Sequence, residues 1–410
     1  MQSFLTQSLR HAALGLLAAL AALAAQPALA APDCGWNSAA LRPVLRPGAS
    51  FEWRIGAPPE RASAAPLRIA LWGDSLTSSR DFIDAAIDAA GIARAGVQPS
   101  FIQAGIQVPG LRLPVKAACA SAGWQTGYAH KEARNPSWYG KGLLGMKSST
   151  PGDSILLDLR APGPGARVKA LDIAFEKARP DGSLMLAIAV DGGEERFISL
   201  SRSSATSLQI VPAAPMAAIR IRLVTGQLTV HGFAPVYEEA PGTVLDTFSV
   251  PGGMLRAWAY VDERLVPATP GDYNLVLVQY GTNEGAGPRF SRSDYLAYLR
   301  SNLGRMRKVY PQARCILVGP PDRGVPGAAG PAALKFANVH AQIAAAQKQV
   351  GQEQGCGFWD WQAAMGGPGA AARWAGMQPP QMQKDLTHLT AKGYQLSGRM
   401  FGQAMLTDKH

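Results

Sequence analysis

The amino-acid sequence predicts an α/β protein with a parallel sheet, interrupted by an inserted β-sandwich. Two observations lead to this prediction. Helix and strand patterns alternate near residues 67–90 and again after residue 273, as they do in βαβ units. Between residues 101 and 244 the chain has hardly a helical period; short alternating apolar runs are instead separated by Gly, Pro and Asp turns.

The N-terminus has the layout of a secretory signal peptide. Arg10 precedes the apolar stretch 12–23, and the small residues Ala28-Leu29-Ala30 follow it. We predict cleavage after Ala30 and a periplasmic or secreted mature chain. The alternative is an uncleaved anchor helix, which Pro27 weakens. No internal run reaches the roughly 18 apolar residues of a membrane span, so no integral span is expected.

Composition and charge narrow the class of protein further. Hydrophobic residues make up 47% of the 410 residues, which is enough for a packed core and excludes wholesale disorder. The net charge of +11 is spread along the chain, and no run of Lys or Arg resembles a nucleic-acid patch. We therefore expect no nucleic-acid partner, and the oligomeric state stays open.

An exported chain can keep disulfides, and this one has four cysteines. Four cysteines allow three pairings, between which the sequence does not choose. Cys315 lies in an apolar run and Cys356 just before another, so a bridge between neighbouring strands and two buried thiols are both open. No pair has metal-ligand spacing, and we expect no metal site.

The elements of the first α/β segment follow a Pro- and Ala-rich lead, 31–66. The run 67–72 reads as a short buried strand that ends at Gly73-Asp74-Ser75-Leu76. A helix is predicted over 79–90, since apolar residues recur on one face and Gly91 is suited to end it.

Short strands are predicted within the β-rich segment, and helices and strands alternate after it. The sandwich strands are expected at 154–159, 184–190, 197–200, 219–224 and 228–230. The later strands are expected at 273–280, 315–319 and 357–360, and the later helices at 291–310, 334–352 and 390–406. The strand at 273–280 is apolar enough to be a buried parallel strand.

Three segments place chemically useful side chains at the carboxyl ends of strands or before a helix. Ser75 follows the first strand, where a nucleophile would lie at the rim of the sheet with its N–H near a helix N-terminus. Asn283, in Gly281-Thr282-Asn283-Glu284, has an amide that can donate to an oxyanion. Asp385 and His388 have the spacing of the orienting carboxylate and base of a Ser-His-Asp triad. Each segment alone is also compatible with an ordinary turn or cap.

Together and in this order, the segments resemble the SGNH, or GDSL-type, hydrolase superfamily, whose blocks read GDS, a Gly-containing loop, GxN and DxxH. No Gly-x-Ser-x-Gly elbow surrounds Ser75, which argues against an ordinary α/β-hydrolase. The resemblance implies a flavodoxin-like three-layer fold that needs no cofactor. It implies a triad of Ser75, Asp385 and His388, and an oxyanion hole formed by Ser75, Asn283 and Gly252, with Gly253 as the alternative to Gly252.

The inserted β-sandwich is similar to that of SGNH enzymes with a carbohydrate-binding-module-like insert. Peptidoglycan O-acetylesterases and xyloglucan-type acetylesterases look like this, which implies an acetylated polysaccharide as substrate. Trp124, Trp138, Trp258 and Glu284 are then candidates for substrate binding. The alternatives are that the aromatic rings belong to a protein core and that Glu284 simply braces its loop. An SGNH lipase or acyl thioesterase, an O-acetyltransferase and a non-catalytic sugar-binding protein are the alternatives.

The expected organisation of the chain is a discontinuous hydrolase domain, whose two segments are separated by the inserted sandwich. The chain begins with a signal peptide (1–30) and the lead (31–66). The first piece of the hydrolase domain (67–122), the inserted sandwich (123–242) and the second piece of the hydrolase domain (243–410) follow.

Overall fold

In the computed structural model, strands and helices fall into one parallel sheet with helices and two antiparallel sheets. The described residues are 34–407, apart from 38, 58–64, 132–141, 161–165, 180–181, 261–272 and 288. The predicted signal peptide lies outside them.

The strands are, in chain order, β1 (Phe51–Ile55), β2 (Leu67–Gly73), β3 (Val97–Gln98), β4 (Ile102–Gln103), β5 (Ala117–Ala120), β6 (Gln125–Tyr128), β7 (Leu144–Ser148), β8 (Ser154–Asp158), β9 (Val168–Lys177), β10 (Met185–Val190), β11 (Arg196–Ser199), β12 (Ser207–Pro212), β13 (Ala218–Thr225), β14 (Leu228–Tyr237), β15 (Thr243–Ser249), β16 (Leu275–Gln279), β17 (Arg314–Val318) and β18 (Gly357–Trp359). The α-helices are α1 (Asp81–Ala89), α2 (Arg292–Val309), α3 (Lys335–Glu353), α4 (Trp361–Ala364), α5 (Ala370–Ala375) and α6 (Ala391–Phe401). Both sets refer to the stretches of chain that the structure describes.

The parallel sheet has the strand order β18-β17-β16-β2-β15-β3, and all its neighbouring pairs run parallel. Apart from the short edge strand β3, this is the flavodoxin-like order 2-1-3-4-5. The chain therefore reverses its direction of winding between β2 and β16. In open α/β sheets, ligands bind at the carboxyl ends of the strands beside such a switch point.

Helices cover both faces of this sheet, as the sequence predicted for its α/β segments. Successive side chains of β2 point to opposite faces of the sheet and pack against different helices. Ile69 and Leu71 belong to a buried cluster with α1 and α6. Ala70 and Trp72 belong to another cluster with α2 and α3. A strand that is buried on both faces needs apolar residues on both, which matches the apolar runs 69–72 in β2 and 275–278 in β16. The predicted α/β class is confirmed.

The two antiparallel sheets form the inserted sandwich. One has the order β1-β12-β9-β14-β7-β6, with β4 pairing to β14; the other has the order β11-β10-β13-β8-β5. One hydrophobic cluster contains residues of both, such as Ile173 and Phe233 from the first sheet and Ile188 and Ile221 from the second. Inward-facing side chains of both sheets thus share a core, as sandwiches do.

Strand pairing departs from the sequence-based boundaries at the start of the sandwich. The lead, for which the sequence predicts no element, contributes β1, which pairs antiparallel with β12. Strands β4 and β5 also pair within the sandwich, although both precede residue 123. These pairings join residues 35 or more positions apart, so local patterns carry no signal for them.

Both disulfides are formed. Cys315 in β17 is bonded to Cys356, which immediately precedes the neighbouring strand β18, so the bridge between adjacent strands is correct. Cys34 is bonded to Cys119 in β5, which fastens the segment before β1 to the sandwich. Among the described residues, no helix is long and apolar enough to cross a membrane.

Candidate active site

The turn after β2 presents Ser75 at the carboxyl edge of the sheet. The strand ends at Gly73, where a Cβ would lie 2.2 Å from Thr77 Oγ1, so only glycine fits. Asp74 then holds the turn, because its Oδ1 accepts a hydrogen bond of 2.9 Å from the N–H of Leu76. Helix α1 begins only at Asp81, six residues beyond Ser75. The expectation that a helix N-terminus lies beside the Ser75 N–H is therefore wrong, because this turn intervenes.

The structure brings Ser75, His388 and Asp385 together from opposite ends of the chain. His388 Nε2 lies 3.0 Å from Ser75 Oγ, and His388 Nδ1 lies 2.7 Å from Asp385 Oδ2. The other oxygen, Asp385 Oδ1, accepts 3.0 Å hydrogen bonds from the N–H groups of Thr387 and His388. This is the geometry of nucleophile, base and orienting carboxylate.

Hydrogen bonds keep the Asp385 carboxylate charged. Partial burial opposes the charged form, but hydrogen bonds from the His388 ring and from the N–H groups of His388 and Thr387 outweigh it and lower the pKa of Asp385. An ionised Asp385 can fix the tautomer of His388 with its proton on Nδ1, which leaves Nε2 free to accept a proton from Ser75.

The three groups predicted to form the oxyanion hole are the N–H groups of Ser75 and Gly252 and the amide of Asn283. Within the described stretches of the chain, the N–H groups of Ser75 and Gly252 donate no hydrogen bond. Asn283 Nδ2 donates to the carbonyl of Gly253 at 2.9 Å, which leaves its second hydrogen available. Gly253, the alternative to Gly252, already donates its N–H to Val250 at 2.7 Å. Of the two glycines, Gly252 is thus the one whose N–H stays available within the described residues, and its φ of +75° suits glycine.

Glu284 holds the two oxyanion loops together. Its Oε1 accepts 2.9 Å hydrogen bonds from the N–H of Leu255 and from Tyr298 Oη, and its Oε2 accepts one of 3.0 Å from the N–H of Gly281. Burial of the carboxyl group raises its pKa, which the backbone hydrogen bonds oppose. With both oxygens occupied, Glu284 braces the loops that carry Gly252 and Asn283. Its assignment to substrate binding is corrected for that reason.

The tryptophans assigned to substrate binding do not reach this site. Trp124 is 4% exposed and belongs to the sandwich core. Trp258 is also 4% exposed and packs edge-to-face on Trp72, with ring centroids 4.5 Å apart. Both assignments are wrong, because burial in a core excludes contact with a polymer. Trp138 lies outside the described residues.

His130 of the inserted sandwich lies beside the loop that carries Gly252. The sequence analysis did not assign this residue to the site. His130 is 6% exposed, and a Cβ on Gly252 would lie 3.5 Å from its Nε2. Burial, together with Lys131 and Arg256, lowers the pKa of His130 to about 4, so the ring is neutral near pH 7. No sequence spacing connects this histidine to Gly252, since only the folding of the insert brings them together.

Asp74 is fully buried, and its titration should make stability depend on pH. Burial raises its pKa from 3.8 to about 7, against the hydrogen bond from Leu76. Between these pH values the folded state holds a proton that the unfolded state has lost, so stability falls as pH rises from about 4 to about 7. The fall is about 4 kcal/mol. We expect Asp74→Asn, which cannot titrate, to remove this slope.

Urea unfolding at about pH 5 and about pH 8 measures this effect. The wild type should lose more stability between the two conditions than Asp74→Asn. Equal losses in both proteins would show that Asp74 does not titrate in this window.

A protein-family model matches part of the chain. Residues 225–396 match the model of the GDSL-like Lipase/Acylhydrolase family. The match includes Asn283, Asp385 and His388, whereas Ser75 precedes it, on the other side of the insertion. No curated protein sequence matches the chain significantly.

Among solved structures, one is similar in fold over most of this chain. A structure described as "Peptidoglycan O-acetylesterase in action" is 18% identical with a TM-score of 0.64, over 84% of this chain and 91% of that chain. A family two carbohydrate esterase with a carbohydrate binding domain, from Corynascus thermopiles, is 14% identical with a TM-score of 0.31, over 68% and 98%. A family two carbohydrate esterase from Clostridium thermocellum, in complex with cellohexaose, is 11% identical with a TM-score of 0.27, over 69% and 98%.

Proposed function

We propose that the chain, which matches the GDSL-like Lipase/Acylhydrolase family over residues 225–396, is an exported SGNH-type serine esterase that removes O-acetyl groups from a polysaccharide. The observation that carries the proposal is the contact of Ser75 with His388 and of His388 with Asp385, at the switch point of the sheet. The neighbouring unpaired N–H groups supply what an ester hydrolase needs in addition.

The proposed reaction follows from these contacts. His388 Nε2 takes the proton of Ser75 Oγ as the oxygen attacks the ester carbonyl, and the ring becomes cationic beside ionised Asp385. The negative charge on the former carbonyl oxygen is stabilised by the N–H groups of Ser75 and Gly252 and by the amide of Asn283. His388 then protonates the departing sugar hydroxyl. A water molecule, activated in the same way, attacks the acetyl-serine, releases acetate and restores Ser75.

The inserted sandwich supports a polymer as substrate. It belongs to the fold shared with the peptidoglycan O-acetylesterase structure, since the similarity extends over 84% of this chain. His130 also places the insert next to the proposed oxyanion loop. Peptidoglycan and a hemicellulose such as xyloglucan are the two polymer classes that we propose. Export is supported by the two disulfides, which persist in oxidising compartments.

Acetate release from three acetylated polymers tests this proposal. The purified protein is incubated with acetylated xyloglucan, acetylated xylan and O-acetylated peptidoglycan, with Ser75→Ala as the blank. We expect release from at least one polymer and none from the blank. Absence of release from all three, by a protein that hydrolyses p-nitrophenyl acetate, would contradict the assignment to polysaccharides.

An SGNH lipase or acyl thioesterase is the second candidate, because the matching family includes lipases and acylhydrolases. A polysaccharide O-acetyltransferase would use the same acetyl-serine with a sugar hydroxyl in place of water.

Rates of hydrolysis of p-nitrophenyl acetate and p-nitrophenyl butyrate show which acyl group the enzyme prefers. A steep fall in rate from acetyl to butyryl supports the acetylesterase, and equal rates support a lipase.

A further inference from the structure

Arg323 occupies the loop after β17, at the same edge of the sheet as Ser75 and the Asp385–His388 loop. The next residue, Gly324, donates its N–H to the carbonyl of Leu386 at 2.9 Å, so the two loops are in direct contact. A Cβ on Gly324 would lie 2.9 Å from Leu386 Cδ1, which shows how closely they pack. The backbone of Arg323 is thus fixed one residue away from the triad loop.

Buried contacts hold this loop rigid on both sides of Arg323. His340 Nδ1 lies 2.7 Å from the carbonyl of Pro321. Asp322 is 0% exposed, and its carboxylate accepts hydrogen bonds of 2.7 Å from Gln362 Nε2 and 2.8 Å from the N–H of Ala371. A cation on such a loop is positioned before any ligand arrives, which reduces the entropy lost on binding.

The guanidinium of Arg323 nevertheless has no hydrogen-bond partner within the described residues, and its Nε is buried without one. It lies 4.0 Å from the centre of the Phe336 ring, and Lys335 Nζ lies 5.4 Å from the same ring. Arg160, by contrast, is paired with Asp158. The two terminal nitrogens of the guanidinium are not among the fully buried atoms, so they form the edge that an acceptor from a ligand can reach.

Electrostatics and geometry show that Asp385 is not that acceptor. Burial lowers the pKa of Arg323, and the Asp385 charge raises it, so the two groups interact electrostatically. Yet Asp385 uses its oxygens to accept from His388 and Thr387, as described above, and forms no ion pair with Arg323. A guanidinium stacked on an aromatic ring keeps its edge free for two parallel hydrogen bonds to a carboxylate.

We propose that Arg323, stacked on Phe336 and assisted by Lys335, forms a subsite that binds a carboxylate of the substrate near the acetyl ester. The inference rests on the proposed function and deepens it: the substrate is an acidic polysaccharide, in which acetylated sugars lie beside carboxylate-bearing ones, rather than a neutral hemicellulose. Arg323 is a specificity residue in this account and takes no part in bond making or breaking.

Inhibition of p-nitrophenyl acetate hydrolysis by soluble muramyl oligosaccharides tests this subsite, because it needs no turnover of a sugar ester. The fragments are used with free carboxylates and after amidation of the carboxylates. The wild type should bind the free acid about tenfold more tightly than the amide, and added salt should narrow the gap. In Arg323→Met, which keeps an apolar stem against Phe336, both fragments should bind equally weakly.

The controls separate this subsite from other roles of the residue. Arg305→Ala removes an exposed positive charge from α2 and should leave the preference intact. In Arg323→Met, thermal unfolding should stay unchanged, and the pH profile of p-nitrophenyl acetate hydrolysis is recorded alongside it. A shifted pH profile would mean that Arg323 acts through Asp385, and would overturn the proposal. Equal binding of acid and amide by the wild type would overturn it as well.

The inhibition experiment and the acetate-release assay can fail independently of each other. Acetate release from neutral and acidic polymers at equal rates would leave the esterase intact and contradict the subsite. A wild-type preference for the free acid that Arg323→Met abolishes supports the subsite even if none of the three polymers is a substrate.

Discussion

Replacement of Ser75 by alanine is expected to abolish ester hydrolysis while leaving the fold intact. The change removes the oxygen that lies 3.0 Å from His388 Nε2 and leaves no other nucleophile in its place. Loss of the nucleophile of a working triad lowers kcat on the order of 10⁴- to 10⁶-fold. Because Ser75 is half-buried in a turn that Asp74 and Leu76 hold, its hydroxyl contributes little to stability.

The measurement is the rate of p-nitrophenyl acetate hydrolysis together with a thermal unfolding curve. Ser79→Ala is the matched control, because this nearby serine has a buried Oγ without a hydrogen-bond partner. Ser79→Ala should keep the wild-type rate. A Ser75→Ala protein that is folded and retains more than a small fraction of the activity would exclude Ser75 as the nucleophile.

Asp385→Asn is expected to lower kcat by about 10⁴-fold with the geometry preserved. Asp385 Oδ1 accepts from two backbone N–H groups, so the oxygen of the new amide must stay there. Its NH₂ group then faces His388 Nδ1, where the carboxylate was. His388 must accept a hydrogen bond on Nδ1 and carry its proton on Nε2, which is the wrong tautomer for a base that deprotonates Ser75.

Asp360→Asn is the control for this change of side chain. Asp360 Oδ1 accepts from the N–H of Ala363 and caps α4, a role that asparagine fills equally well. Its activity should equal that of the wild type. Activity of Asp385→Asn within tenfold of the wild type would mean that His388 does not need this carboxylate.

The short catalytic blocks were predictable because each is local. A serine after a buried strand, and an aspartate three residues before a histidine, carry their geometry in a few adjacent residues, and parallel strands bring their carboxyl ends to one edge. The helix predicted over 79–90 extends from Asp81 to Ala89, because an apolar face repeats there. The α/β class followed from the same local patterns.

Contacts between distant segments were not predictable in this way. Strand β1 pairs with β12 some 150 residues away, and the sequence of the lead offers no sign of it. Aromatic residues are ambiguous for a related reason: a tryptophan suits both a sugar face and a core, and only packing decides. Trp124 and Trp258 are buried. Arg323, which no sequence pattern distinguishes, has a buried Nε beside the triad loop that finds no partner among the described residues.

The central claim is that Ser75 forms a covalent acetyl intermediate, and rapid acid quenching tests it most directly. The protein is mixed with p-nitrophenyl acetate, quenched, digested and examined by mass spectrometry. We predict one acetyl group on the peptide that contains Ser75, and none on the corresponding peptide of Ser75→Ala. An active protein whose acetyl group lies on another residue, or whose acetylated peptide is unchanged by Ser75→Ala, would contradict the account.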